Sequence, residues 1–148
     1  MPCQEHLVNT LFVFVVDDDE VVRRSIVKRL IRLHCRVHAF ESGEAFLQAL
    51  DHENDIPDLI LLDYKMDGMN GIETLNALRA RHPSVPAFIL TAYAGGMDMR
   101  LIKQMGNCEI LLKTVDLTSL KQIVNGAMAL KTLRRQECVE CRRRAAEA

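Results

Sequence analysis

Residues 57–71 read PDLILLDYKMDGMNG. Pro57 disfavours a helix before it and restarts the chain as extended backbone. Leu59-Ile60-Leu61-Leu62 is apolar without alternation, which predicts a strand buried on both faces, as in a parallel sheet covered by helices. The run stops at Asp63, and Gly71 opens a helix with Ile72, Leu75 and Leu78 on its inner side. A carboxylate at the end of a wholly buried strand is costly unless it does something there.

Three other apolar runs end in the same way. Leu11 to Val16 meets Asp17-Asp18-Asp19, Phe88-Ile89-Leu90 meets Thr91, and Ile110-Leu111-Leu112 meets Lys113. Between the runs lie segments with apolar residues three and four apart, and that alternation is the signature of an α/β fold with a parallel sheet. Five such pairs are predicted. Strand one is Leu11–Val16, and its helix carries Val22, Ile26, Leu30 and Leu33. Strand two, Cys35–Phe40, is shorter and expected near an edge. Ser42 caps a second helix with Phe46 and Leu50 inside. After strand three, Leu59–Leu62, and its helix, Pro83 and Pro86 bound the turn into strand four, Ala87–Leu90. Gly95-Gly96 gives a pliable entry to a short helix over Met97–Met105. Strand five is Glu109–Leu112. The last helix starts near Thr118, with Leu120, Ile123, Val124, Ala127 and Leu130 as its stripe, and continues through Arg134-Arg135 and Cys138 to Arg142-Arg143-Arg144.

The chain has 148 residues, enough for one domain, with 49% apolar and 26% charged residues, the balance of an ordinary globular protein. The expected organisation is an N-terminal extension over 1–10, a domain over 11–130, and a C-terminal helical extension or truncated linker over 131–148. With 19 basic and 20 acidic residues the net charge is -1, which argues against direct nucleic-acid binding. The longest apolar run, Leu11–Val16, is too short for a bilayer and the first residues lack a basic signal-peptide start, so no membrane association and a cytoplasmic location are expected. Five cysteines, an odd number in scattered contexts, argue against a disulfide framework.

In a parallel sheet, Asp17, Asp18, Asp63, Thr91 and Lys113 all arrive at the carboxyl edge, where open α/β sheets bind ligands. The carboxylates would repel and raise one another's pKa unless a cation sits among them. An oxygen-only donor set with no histidine or cysteine nearby suits Mg²⁺. Lys113 adds a fixed positive charge. A carboxylate beside these cations is placed to attack phosphorus, which needs chiefly in-line positioning and neutralised oxygens. The product is an aspartyl phosphate, and Thr91 is placed to hydrogen-bond a phosphoryl oxygen.

This order of parts resembles the receiver domain of two-component response regulators over about residues 11–130. The acidic pair matches Asp17-Asp18, the phosphoacceptor Asp63, and the switch hydroxyl and lysine Thr91 and Lys113. Their intervals, 45 residues from Asp18 to Asp63, 28 to Thr91 and 22 to Lys113, are similar to the family's. The resemblance implies a five-stranded, doubly wound flavodoxin-like (βα)5 sandwich. It implies Mg²⁺ held by Asp18, Asp63 and the backbone carbonyl of Lys65, with Asp17 acting through metal-bound water. It further implies a histidine kinase or phosphotransfer protein as phosphoryl donor. An output partner would be engaged through helix four, strand five and helix five, with a homodimer as one form of output. Such a domain phosphorylates and dephosphorylates itself without being a turnover enzyme.

Several residues depart from that pattern. Ile110 stands where the family often has an aromatic switch residue. Thr114 follows the lysine in place of a proline with a cis bond, so a trans bond and a rearranged loop are expected, a non-proline cis bond costing about 2.5–4 kcal/mol. Asp67 stands where proline is frequent and is read as a solvated loop residue. Lys65 and Tyr93 occupy places that in the family flank the path of the hydrolytic water, where they would cover the phosphoryl group and slow its loss; the alternative is that they are plain rim residues. Two other functions fit parts of the chain. One is a phosphatase similar to haloacid dehalogenases, with Asp17 as nucleophile, which would need a further acidic pair where only Asp116 follows Lys113. The other is a receiver-fold interaction module that works unphosphorylated. Cys138-Val139-Glu140-Cys141 is half a zinc site and is read as inert thiols; the alternative is zinc or disulfide clasping of a dimer. The arginine run is read as a solvated helix end.

Overall fold

The computed structural model describes residues 10–52, 56–92, 95, 99–114 and 116–147. Most of the N-terminal extension, Tyr93, Gly96 and Met97 therefore lie outside the described residues, as does Val115 in the loop expected to be rearranged. Among the described residues five strands and five helices alternate: β1 Phe12–Val16, α1 Glu20–Arg32, β2 Arg36–Phe40, α2 Gly43–His52, β3 Leu59–Asp63, α3 Gly71–Arg81, β4 Ala87–Thr91, α4 Met99–Gln104, β5 Cys108–Leu112 and α5 Leu117–Glu147. All pairs are parallel, in the order β2-β1-β3-β4-β5. This is the doubly wound arrangement with its switch point between β1 and β3.

The central position of β1 and β3 explains their composition, since every residue of both is buried. Phe12, Phe14, Ile60, Leu62 and Ile89 pack beneath α2, α3 and α4 on one face, while Val13, Val15, Leu59, Leu61 and Leu90 pack beneath α1 and α5 on the other. Strand two is an edge, as expected, and three of its five residues are exposed.

Boundaries move by a residue or two where the ladder outruns the apolar run. Asp63 pairs with Leu90 and Thr91 with Leu112, so both polar residues are the last members of their strands rather than the first of a loop. Strand five gains Cys108, strand two starts at Arg36, and the short helix begins at Met99 and ends at Gln104. Strand one starts at Phe12 and the last helix at Leu117. No peptide bond among the described residues is cis, Lys113–Thr114 included.

Side chains fix the helix starts. Asp19 accepts from Val21 N–H and Val22 N–H at 2.9 and 3.2 Å to cap α1, and Ser42 Oγ accepts from Ala45 N–H at 3.0 Å. Helix α3 opens at Gly71 as expected, and Asn70 before it is the cap, in a reciprocal capping box with Glu73. Gly71 has a different duty: a Cβ there would lie 2.5 Å from the Asp63 carbonyl oxygen, so only glycine lets α3 start against the end of β3. Gly43 likewise lets α2 approach α3, because a Cβ would collide with the Thr74 hydroxyl.

Two cations lock the amino edge of the sheet, opposite Asp63. Lys131 Nζ contacts Asp58 Oδ2 at 2.8 Å and donates to Thr10 O at 2.9 Å, and the same Asp58 oxygen accepts from Phe12 N–H at 2.9 Å. Helix α5 is thereby tied to the starts of β1 and β3, and the boundary drawn at residue 130 falls inside one unbroken helix. Arg79 donates to Val85 O at 2.6 Å, Gly106 O at 3.0 Å and Asn107 O at 2.9 Å, joining α3 to the turns before β4 and β5. Burial drives its pKa below the usual guanidinium value. Cys35 and Cys108 are pushed up to about 11 by burial, so these free thiols stay protonated.

The planar fork of Arg79 serves several carbonyls at once, which an ammonium cannot do. Arg79→Lys is expected to lower unfolding free energy by about 1.5–3 kcal/mol in urea denaturation, leaving chemistry at the opposite edge unchanged.

Candidate functional site

The chain direction of a parallel sheet brings the ends of β1, β3, β4 and β5 to one edge, and there the acidic residues meet. Asp17 follows β1 and is fully buried. Its N–H donates to Phe40 O at 3.1 Å, its Oδ1 accepts from Asp19 N–H at 2.9 Å, and its carbonyl accepts from Arg23 Nη1 at 2.7 Å. Asp18, one residue on, is turned to solvent. Asp63 ends β3 with 1% of its surface exposed. Carboxylate oxygens of Asp17, Asp18 and Asp63 lie within 4.8 Å of one another, the one such group of three found among the described residues.

Lys113 reaches into this cluster from the edge strand. Its Nζ lies 2.8 Å from Asp63 Oδ1 and 3.6 Å from Asp17 Oδ2. The first contact is close but off the angle of a hydrogen bond, and Asp63 Oδ2 has no hydrogen-bond partner among the described residues. Burial pushes the Asp63 carboxyl up to about 6; the contact with Lys113 opposes the rise and the charge of Asp17 adds to it. For Lys113, burial works against the ammonium, but its close contact with Asp63 and the field of Asp17 outweigh that, and its pKa is raised. Thr91, 5% exposed, ends the neighbouring strand, and its carbonyl accepts from Lys113 N–H at 2.8 Å.

Asp17, Asp18, Asp63, Thr91 and Lys113 thus share one edge. Lys65 stands exposed in the β3–α3 loop and makes no ion pair with the carboxylates among the described residues. Ile110 is half-buried and packs against the cluster beneath α4. The Asp67 side chain is exposed, as expected, yet its N–H donates to Asp18 Oδ2 at 3.2 Å. Contacts of Arg23 with Asp17 and of Glu44 with the Met69 N–H are additions that no motif in the sequence announces.

A hard-oxygen cluster with an orphaned buried carboxylate oxygen fits a divalent cation. The dehalogenase-like alternative loses its remaining acid, because Asp116 caps α5 by accepting from Ser119 N–H at 2.8 Å. Cys138 and Cys141 are free and exposed on α5, with no third ligand grouped with them among the described residues.

Comparison with known proteins agrees with this geometry. The profile of the response regulator receiver domain matches residues 13–137. The chain is 32% identical over 117 residues to the DNA-binding transcriptional regulator NtrC of Escherichia coli, covering 79% of this chain and 24% of that protein. It is 31% identical over 115 residues to the regulatory protein LuxO of Vibrio vulnificus, covering 77% and 25%. The chain therefore spans about a quarter of the length of these curated relatives. A CheY-like receiver domain structure from Methanospirillum hungatei superposes with a TM-score of 0.74 at 22% identity, covering 84% of this chain and 98% of that one, a likeness of fold. A buried acidic edge on a 2-1-3-4-5 parallel sheet, and a profile match over most of its length, place this chain in the response regulator receiver domain family.

Proposed function

We propose that this receiver accepts a phosphoryl group on Asp63 from a phosphohistidine donor, a histidine kinase or phosphotransfer protein, and signals by the shape change that follows. The observation that carries the reading is Asp63 itself: a carboxylate at the end of a fully buried strand, with Lys113 at 2.8 Å from one oxygen and the other oxygen unpartnered. That free oxygen is the nucleophile. It forms the new oxygen–phosphorus bond as the phosphorus–nitrogen bond to imidazole breaks, the electron pair stays on the imidazole nitrogen, and a proton from water neutralises it. Lys113 sits where it neutralises an equatorial phosphoryl oxygen.

Asp18, Asp63 and the Lys65 carbonyl would hold Mg²⁺, with Asp17 acting through bound water. Bound there, the ion supplies charge neutralisation for the incoming phosphoryl oxygens. Thr91 supplies a hydroxyl for the attached group. Because the Thr91 carbonyl is bonded to Lys113 N–H, both partners of the phosphoryl group shift together. Movement at these ends bears on the face of α4, β5 and α5, where Leu101, Leu112 and Leu117 are exposed, and this is the proposed output surface, for a partner or a second copy. Residues 11–130 form the receiving unit in this reading and 131–148 carry its helix toward the output. No helix of the described residues is long and apolar enough to cross a membrane.

Incubation with Mg²⁺ and acetyl phosphate is expected to add one phosphoryl group by intact mass, and Asp63→Asn to abolish it. An undiminished adduct in Asp63→Asn sinks the assignment.

Burial of the acidic cluster also has a thermodynamic signature. Burial pushes the Asp63 carboxyl up to about 6 from its ordinary 3.8, so ionisation at neutral pH without metal costs the folded state stability. Asp63→Asn is expected to be more stable than wild type at pH 7 without metal, by about 1–3 kcal/mol. The gap should narrow as pH falls from 7 toward 4, because folded wild type takes up its proton first. Mg²⁺ should raise the melting temperature of wild type more than that of the variant in scanning calorimetry.

A further inference from the structure

The β3–α3 loop follows Asp63 and carries Lys65, and three carboxylates hold its backbone. Asp67 N–H donates to Asp18 Oδ2 at 3.2 Å, Met69 N–H to Glu44 Oε1 at 3.0 Å, and Asn70 N–H to Glu73 Oε2 at 3.0 Å. The first acceptor belongs to the acidic cluster and the third to the capping box of α3. Glu44 belongs to neither. It comes from the first turn of α2, 25 residues away, where an exposed glutamate would ordinarily serve only the helix dipole.

Its placement is not a loose surface contact. Gly43 brings α2 against Thr74 of α3, and the Thr74 hydroxyl donates to Asn70 O at 2.8 Å, so Glu44 is carried on a helix pair that also holds the end of the loop. Gly68 lies between the two loop bonds with φ +77°, and Glu44 Oε1 is 3.0 Å from the point a Cβ would occupy. The loop therefore passes Glu44 at a distance no other residue type permits without displacement.

We propose that Glu44 is a positioning residue for the phosphoacceptor site. Its carboxylate fixes Gly68 and Met69, this keeps Asp67 N–H on Asp18, and Asp18 and the Lys65 segment are thereby held in the relative placement that metal binding uses. The role rests on the function proposed above. It requires a hydrogen-bond acceptor rather than a negative charge, which separates it from simple electrostatic attraction of the cation: glutamine keeps the acceptor and loses the charge, alanine loses both.

Two measurements on the full chain test this. Amide hydrogen exchange without metal reads the clamp directly, and calorimetric Mg²⁺ titration with acetyl phosphate labelling reads its consequence. In Glu44→Ala, exchange at Asp67 and Met69 should rise about tenfold while β1 amides keep wild-type protection, which also shows that the variant is folded. Mg²⁺ affinity should fall about tenfold, with the labelling rate at saturating Mg²⁺ within about twofold of wild type. Glu44→Gln should restore both. Unchanged exchange in Glu44→Ala overturns the proposal, as does a glutamine variant that behaves like alanine. If exchange follows Glu44 as expected but wild type takes no phosphoryl group, the clamp stands and the phosphoacceptor reading falls.

Discussion

Two carboxylates withdrawn from water at the ends of adjacent central strands are the constraint around which the molecule is arranged. Asp17 and Asp63 are essentially unexposed, and a pair of like charges there costs the fold free energy that no hydrophobic contact returns locally. Lys113 offsets part of the cost from one side only, 2.8 Å from Asp63 and 3.6 Å from Asp17. The remainder is carried by the sheet. β1 and β3 are buried along their whole length, and their apolar side chains fill both layers, so the strand ends are held wherever packing puts them. The result is a buried carboxylate with an oxygen that has no hydrogen-bond partner among the described residues, the feature on which the proposed function rests.

That constraint explains which parts of the structure are legible in the sequence. An apolar run without alternation, ended by a charged or hydroxyl residue, can be read directly, and β1, β3, β4 and β5 follow from it. The polar residues at Asp63 and Thr91 look like loop, but the ladder extends through them, since backbone pairing is indifferent to the side chain at a strand's last position. Asp17 and Asp18 look equivalent in the sequence. The strand ends at Val16, and in the turn that follows Asp17 is buried while Asp18 is exposed, where it accepts from Asp67 N–H. The Asn70 cap was present as an Asn-x-x-Glu box, though the glycine beside it draws attention first. Glu44 on Met69 N–H is of another kind. It depends on how closely α2 and α3 approach, and no local pattern encodes a contact set by the packing of two helices.

The two edges of the sheet are built for opposite purposes. At the amino edge, Arg79 joins α3 to two turns and Lys131 joins α5 to the starts of β1 and β3, and both use charged donors on backbone carbonyls. These bonds are strong and few alternatives compete with them. At the carboxyl edge the charges are incompletely paired, and the contacts that exist are those a ligand would rearrange.

Helix α5 spans both regimes, which limits how a signal can travel. It is anchored at Lys131 and begins at Leu117, four residues after Lys113. Between these points Leu120 and Val124 are buried in the core, so α5 is seated by packing near its start as well as by the ion pair at Lys131. Ile110 bears on the same question. An aromatic with a polar tip has two good positions, buried against the core or turned to water, and so makes a switch by itself. An isoleucine has one preference, burial, and Ile110 is already half-buried against the α4 layer. The backbone bond from Lys113 N–H to Thr91 O ties the end of β4 to the residue after β5 whatever side chain stands at 110. In the receiver reading proposed above, a switch of that construction would move the strand ends together rather than turn one side chain.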